Sequence, residues 1–246
     1  MTKQKALAFA ADCLDTTPVQ LLLKGDVTLP PQFYPRLERY LKGEPLAYLR
    51  GFVDFLGCHI SVSSDVLIPR QETEILADKI VQSAPTGILW DLCTGSGCLA
   101  IAIKKHCPDL NVFASDISPK ALALAKQNAT ENAVSITFYE GDFLAPFAGQ
   151  TADVIVSNPP YVTEEEYAAL DPQVKDWEPK LALVGGDTFY RQLAQNLPEC
   201  MNPGGTAWLE SSPQMIAQSL SYFADWKTEV IKDYAGHDRF LVVKNG

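Results

Sequence analysis

Apolar positions in the first fifty residues recur at helical spacing. Leu7, Phe9, Ala10, Cys13 and Leu14 fall on one side of a first helix that Thr2 can cap. Thr17 followed by Pro18 sets a cap and a proline at the first helical position, ahead of Val19 and Leu21 to Leu23. A third helix is expected over about 31–42, with Phe33, Leu37, Tyr40 and Leu41 on its apolar face and Gly43 as its stop. The period then falls to two. Residues 52–56, a turn at Gly57 and residues 59–62 read as a β-hairpin.

From about residue 72 helical and extended patterns alternate. Helices are expected over about 72–83, 99–105, 118–132 and 214–223, and Ser118-Pro119 starts the third of these. Strands are expected over 88–92, 111–115, 136–139, 153–157, 206–210, 228–231 and 240–243. Strands separated by helices of 10–15 residues imply right-handed crossovers and a parallel sheet. The last two strands lie too close for a crossover helix, so an antiparallel hairpin at the sheet edge is expected there.

Composition narrows the class. The 246 residues are 47% hydrophobic and 20% charged, which suits a globular α/β chain and excludes disorder and coiled coil. Thirty acidic residues against 20 basic give a net charge of −10, the wrong sign for a protein that grips many phosphates. No apolar run approaches the roughly 18 residues of a membrane span. The short stretch of residues 6–11 stops at Asp12, short of a secretory core of about 7–15 residues. The six cysteines contain no C-x-x-C pair, and three histidines allow no zinc site at normal spacing. Free thiols in a reducing cytoplasm, and no metal, are the expectation.

Candidate chemistry begins at Asp91-Leu-Cys93-Thr94-Gly95-Ser96-Gly97, where a strand meets a helix. Gly95 and Gly97 let a ligand approach the backbone, and the helix start supplies free N–H groups. Asp116, about 20 residues on, can accept from ribose hydroxyls. A dinucleotide and an adenosylated methionine fit these features equally well. Asp142 could accept from an adenine amino group while Phe143 stacks on the ring. The fourth strand of the sheet ends in Asn158-Pro159-Pro160-Tyr161. Two prolines donate no N–H, so a substrate N–H₂ would find acceptors in a rigid frame, with Tyr161 as an aromatic wall. Those are the requirements for methylating a weakly nucleophilic nitrogen.

With these residues in place the chain resembles the class I S-adenosylmethionine-dependent methyltransferases acting on planar nitrogen. Four segments narrow the resemblance to the release-factor glutamine N5-methyltransferases, the HemK/PrmC family. They are Gly43-Glu-Pro-Leu-Ala-Tyr-Leu-x-Gly51, Leu67-Ile-Pro-Arg-Gln-Glu-Thr-Glu74, Trp177-Glu-Pro-x-Leu-Ala-Leu183 and Asp233-Tyr-x-Gly-x-x-Arg239. The resemblance runs from about residue 43 to the end. It implies a seven-stranded Rossmann-like methyltransferase sheet, with a small helical substrate-docking domain over 1–50, a β-hairpin connector over 51–66 and the methyltransferase domain over 67–246. It implies that Cys93, Thr94, Gly95, Ser96, Gly97, Asp116, Asp142, Phe143 and Asn158 hold S-adenosylmethionine, which leaves as S-adenosylhomocysteine. Asn158, Pro159, Pro160 and Tyr161 would hold the glutamine amide of the Gly-Gly-Gln motif of peptide chain release factors, with Arg70 at the substrate entrance. The implied protein is a cytoplasmic monomer that binds no nucleic acid directly and no membrane. Two departures stand out: Cys93 occupies the position of the family's usual first glycine, and the amino-terminal helical region is shorter than is typical.

Rival functions remain distinguishable. A DNA adenine N6-methyltransferase shares Asn-Pro-Pro-Tyr, but the acidic charge and the lack of room for a target-recognition domain count against it. A nicotinamide-dependent oxidoreductase leaves the proline pair unexplained. A non-catalytic methyltransferase-like module that binds translation factors does not need an intact Asn158 and Tyr161. Elsewhere the plainer readings are expected. Glu72 and Glu74 charge a first helical turn, residues 164–166 start a solvated helix, and Glu210 caps the helix that follows it. Asp238 and Arg239 pair at the surface, and His59, His106 and His237 are structural or exposed.

Overall fold

The computed structural model describes residues 3–14, 16–23 and 28–246, and the side chains of residues 3–6 are outside that description. The expected Thr2 cap also lies outside the described residues. Four helices come first: α1 (Lys3–Cys13), α2 (Pro18–Leu23), α3 (Phe33–Leu41) and α4 (Leu46–Arg50). Phe9, Phe33 and Leu49 are buried together, with Phe9 stacked on Tyr40 at 4.8 Å between ring centroids. Asp12 of α1 ties this group to α3 and α4 through Arg36 and Arg50. The helix α2 forms as its pattern predicts, but it buries none of its side chains, and Val19, Leu22 and Leu23 face solvent.

The hairpin β1 (Phe52–Phe55) and β2 (Cys58–Ser61) is antiparallel, as expected. Then follow α5 (Gln71–Gln82), β3 (Ile88–Leu92), α6 (Cys98–His106), β4 (Asn111–Asp116), α7 (Pro119–Glu131), β5 (Thr137–Glu140) and β6 (Ala152–Ser157). After β6 come α8 (Glu164–Ala168), α9 (Pro172–Lys175), α10 (Thr188–Cys200), β7 (Met201–Glu210), α11 (Pro213–Tyr222), β8 (Lys227–Lys232) and β9 (Asp238–Lys244). The seven-stranded sheet runs in the order β5-β4-β3-β6-β7-β9-β8. Its strands are parallel except β9, which pairs antiparallel with both β7 and β8. The terminal hairpin is as expected, with β8 outermost.

Both faces of the sheet are covered, which is why its central strands read as nearly unbroken apolar runs. Leu89, Val154, Val156 and Phe240 pack on one side with residues of α5, α6 and the hairpin. Trp90, Leu92, Ile155 and Leu241 pack on the other with α10 and α11. Trp90 is fully buried and stacks on Phe147 at 4.3 Å.

The short helices α4 and α9 were not expected from sequence, and two larger differences bear on the sheet. Residues 188–200 form α10, the crossover between β6 and β7, although no helix was expected there. Pro198 lies inside it, near its end, and Gly185-Gly186 precede it, so its helical signal is interrupted at both ends. The strand β7 starts at Met201, not near 206, because its register against β6 shifts between Ala152 and Val154 and absorbs Pro203-Gly204-Gly205.

One buried side chain fastens the hairpin to the main sheet layer. Asn128 of α7, wholly buried, donates to the main-chain oxygens of Ser61 and Ser96 and accepts from Ser61 N–H. Asn128→Ala orphans all three groups, each worth roughly 1–3 kcal/mol when buried. Urea unfolding should therefore show a loss of at least about 2 kcal/mol. A loss below about 0.5 kcal/mol, the scale of a surface substitution, would contradict this anchoring.

Candidate active site

The carboxyl ends of β3, β4 and β6 meet at one cavity, where open α/β sheets bind ligands. Ser157 Oγ, at the end of β6, donates to the main-chain oxygen of Leu92 at 2.6 Å, closing the two strand ends together. Past β3 the chain turns through Cys93, Gly95 and Gly97, all with left-handed φ of 59°, 55° and 82°. At Gly97 a Cβ would stand 3.0 Å from Ile101 Cδ1 and 3.1 Å from Ala125 Cβ, so this glycine lets α6 pack closely. At Gly95 a Cβ would meet nothing within 4 Å, and its open side lines the cavity. Cys93 takes the conformation a glycine would take without strain, at a cost of roughly 1–2 kcal/mol.

Carboxylates hold this turn. Asp91, wholly buried, accepts from Thr94 Oγ1 at 2.6 Å and from Ala100 N–H at 3.2 Å through one oxygen. Its other oxygen is buried without a partner. Burial pushes its carboxyl up to about 7, against the pull of those two donors. Asp116 accepts from Gly95 N–H at 2.8 Å and Ser118 N–H at 2.9 Å, one on each oxygen. The Ile117 N–H also favours the ionised form of Asp116, and a carboxylate with about four acceptor positions keeps capacity for a further donor. Burial also raises its carboxyl above the ordinary range. The Cys93 thiol is pushed well up by burial and by the neighbouring Asp116 and Asp91, which keeps it protonated at neutral pH.

Phe143, after β5, lies on the cavity wall with φ 52°, an unusual conformation for an aromatic residue. It meets Phe189 of α10 edge to face at 4.9 Å. Asn158 and Pro160 line the same cavity. Residues 162–186 fold back over this motif. Val162 bridges Val184, Gly185 N–H bonds the Val162 oxygen at 3.1 Å, and a Cβ on Gly185 would stand 2.3 Å from the Pro160 oxygen. Only a glycine fits there.

Of the residues singled out from sequence, Cys93, Thr94, Gly95, Ser96, Asp116, Asp142, Phe143, Asn158 and Pro160 line one cavity. Gly97, Pro159 and Tyr161 adjoin it without lining it. Arg70 does not line the cavity, although its neighbour Pro69 does. It pairs with Glu178 at 2.5 Å, and Glu178 also accepts from Ile68 N–H at 3.0 Å, so the two tie segment 67–70 to segment 177–179. Segments 64–67 and 179–182 and Thr73 also face the cavity, and sequence reasoning gave them no role. Leu67, Thr73 and 179–182 fall within the segments Leu67 to Glu74 and Trp177 to Leu183, while 64–66 lie outside both.

Glu210 does not cap α11. Ser212 does, accepting from Met215 N–H at 3.1 Å, which leaves Glu210 turned inward from the end of β7. There its Oε2 accepts from Thr73 Oγ1 at 2.8 Å, and the Tyr161 hydroxyl stands 3.5 Å from its Oε1. Burial pushes its carboxyl up to about 7. Asp238 and Arg239 do not pair with each other: Asp238 binds Lys232 and Arg239 binds Asp233. Glu74 accepts from Leu56 N–H in the hairpin turn at 2.6 Å. The run 164–166 begins α8, as expected, and Thr163 and Glu166 form a capping box there. Among the described residues no cluster of His, Cys, Asp and Glu could hold a metal ion, and no helix is long and apolar enough to cross a membrane.

A strand-end glycine turn, an acid on the next strand and Asn-Pro-Pro-Tyr on the neighbouring one define a Rossmann-like methyltransferase. The methyltransferase small domain model matches residues 70–176. A crystal structure of a methyltransferase from Pyrococcus furiosus superposes with a TM-score of 0.59 at 19% identity, over 86% of this chain and 98% of that one. Release factor glutamine methyltransferase of Bacteroides thetaiotaomicron is 38% identical over 254 residues, covering 97% of this chain and 91% of the relative. The enzyme of that name from Chlamydia trachomatis serovar L2 is 40% identical over 222 residues, 87% of this chain and 76% of the relative. The chain belongs to the release factor glutamine methyltransferase family.

The electrostatics carry a pH dependence of stability. Asp91 binds its proton more tightly in the fold, at about 7, than at the ordinary 3.8 of the unfolded chain. Between those values the native state holds more protons, so its stability falls as pH rises through the window and levels off above it. Asp91→Asn removes this slope. Urea unfolding across the window should show the parent losing stability relative to the variant with rising pH, and parallel curves would contradict a raised Asp91.

Proposed function

We propose that the chain transfers a methyl group from S-adenosylmethionine to the side-chain amide nitrogen (N5) of the glutamine in the Gly-Gly-Gln motif of peptide chain release factors. Family membership supports the reaction class, and the observation that carries the assignment to this site is that Asn158 and the glycine turn leave adjacent strands and line one cavity. The residues fit the cofactor. The open side of Gly95 would admit it to the backbone, Asp116 would accept from the ribose hydroxyls, and Asp142 and Phe143, which line the same cavity, would take the adenine. When bound, S-adenosylmethionine would supply an electrophilic methyl on a sulfonium and leave as S-adenosylhomocysteine with the S–CH3 bonding pair, the methylated nitrogen then releasing one proton to solvent.

The chain's own residues do the rest. Asn158 Oδ1 and a main-chain oxygen next to Pro159 accept the two hydrogens of the substrate amide. Holding both favours a pyramidal nitrogen over the conjugated planar form and frees its lone pair. These bonds tighten as positive charge develops, so they act mainly in the transition state. Tyr161 and Pro160 wall the planar amide. Cys93 replaces glycine in the turn and takes no chemical part, in keeping with its protonated thiol. Residues 1–50 are proposed as the helical docking domain, 51–66 as the hairpin connector and 67–246 as the methyltransferase domain. Arg70, through Glu178, braces the entrance that residues 67–70 and 177–179 form.

The test offers release factor and DNA side by side with radiolabelled S-adenosylmethionine. Label is expected on the release factor alone, and label on DNA would overturn the assignment. Asn158→Ala is expected to lower kcat by about 10²–10³ with a smaller change in KM. Parental turnover in that variant would remove Asn158 from the mechanism.

A further inference from the structure

A side-chain amide can be turned over with almost no change of shape, yet the reading above needs the oxygen of Asn158, not its nitrogen, against the substrate. Asn158 Nδ2 stands 3.0 Å from Thr73 Oγ1, and Thr73 Oγ1 stands 2.8 Å from Glu210 Oε2. Thr73 is 2% exposed and Glu210 1%, so no bulk water competes for these bonds. A threonine hydroxyl has one hydrogen, and an ionised carboxylate only accepts. The hydrogen of Thr73 therefore goes to Glu210, and Thr73 is left with lone pairs to offer Asn158. Only Nδ2 can supply a hydrogen to them, which turns Oδ1 the other way. We propose that Glu210, acting through Thr73, is a positioning residue that sets which end of the Asn158 amide meets the substrate. The inference rests on the methyl-transfer reading and adds to it the part that orients the acceptor.

Protonation reverses the chain. A proton taken from solvent onto Glu210 Oε2 gives that oxygen a hydrogen to donate to Thr73. The Thr73 hydrogen is then released toward Asn158, which meets it best through Oδ1. The turned amide presents Nδ2 hydrogens to the hydrogens of the substrate amide, donor against donor. The groups facing Glu210 decide where this happens. Glu72, on the helix that carries Thr73, opposes its ionisation, and Arg239 of β9 favours it. The Tyr161 hydroxyl favours the ionised form weakly across 3.5 Å. Tyr190 gives its hydrogen to the main-chain oxygen of Glu210 at 2.5 Å, and the Cys98 thiol of α6 stays protonated nearby. Burial outweighs all of them, with the carboxyl brought up to about 7.

The experiment measures methyl transfer to a release factor by the full chain across mildly acidic to mildly basic pH, with S-adenosylmethionine affinity followed by calorimetry. Thr73→Val, which keeps the shape and removes the hydroxyl, should lower kcat by about tenfold to hundredfold with KM and cofactor affinity changed less than about threefold. Thr73→Ser should recover most of the loss. The parent should lose kcat as pH falls below about 7, and Glu210→Gln, which cannot ionise, should flatten that acid limb. Parental kcat in Thr73→Val, an equal loss in Thr73→Ser, or an unchanged acid limb in Glu210→Gln would each overturn the positioning role. A parent that methylates no release factor at all would instead overturn the proposed function, so the two failures separate.

Discussion

The parallel pairing of β3 with β6 brings the glycine turn and the Asn-Pro-Pro-Tyr segment to one cavity. Asp91 stands beside Val156 and Leu92 beside Ser157, so the two strands end level. The glycine turn leaves one and the Asn-Pro-Pro-Tyr segment leaves the other, and the bond from Ser157 to the Leu92 oxygen closes the gap between them. A register shift of one residue would send Trp90 and Leu92 to the wrong face and separate the two motifs. Parallel neighbours need a crossover, and here the crossovers α6, α7 and α10 bury both faces of the sheet. The same packing that stabilises the sheet therefore aims both halves of the site into one cavity.

Strained backbone and buried carboxyls both occur around that cavity. Cys93 and Phe143 adopt left-handed backbone on its wall, and Asp91 and Glu210 are carboxyls buried behind it. Each is unfavourable alone. Asp91 shapes the turn through Thr94 and Ala100, and Glu210 joins α5 to the end of β7 through Thr73. A site that must hold a weak nucleophile still uses fixed dipoles in place of mobile water, and fixed dipoles need a buried, hydrogen-bonded frame.

The fold and the local motifs were legible in the sequence because they rest on short-range signals. Alternating periods placed the strands of the sheet, and Ser118-Pro119 marked the start of α7. Helix α10 was missed because Pro198 and the paired glycines before it break a helical pattern that tertiary packing restores. Glu210 was misread because its partner Thr73 lies 137 residues away. Only the folded chain brings them together. Arg70 raises the same difficulty, since Glu178 is 108 residues distant. Gly185 carries no motif, and its need appears only where the chain passes the Pro160 oxygen. Sequence reasoning found the residues that face the cavity and missed most of those that hold them.

The central claim is that Asn158 presents its amide oxygen to a glutamine amide nitrogen beside the cofactor. A crystal structure with S-adenosylhomocysteine and a Gly-Gly-Gln peptide measures this directly. The account expects the glutamine nitrogen about 2.9 Å from both Asn158 Oδ1 and a main-chain oxygen at Pro159, in line with the cofactor sulfur, and Asn158 Nδ2 still bound to Thr73. A glutamine amide seated elsewhere, or an Asn158 whose nitrogen faces it, would contradict the account.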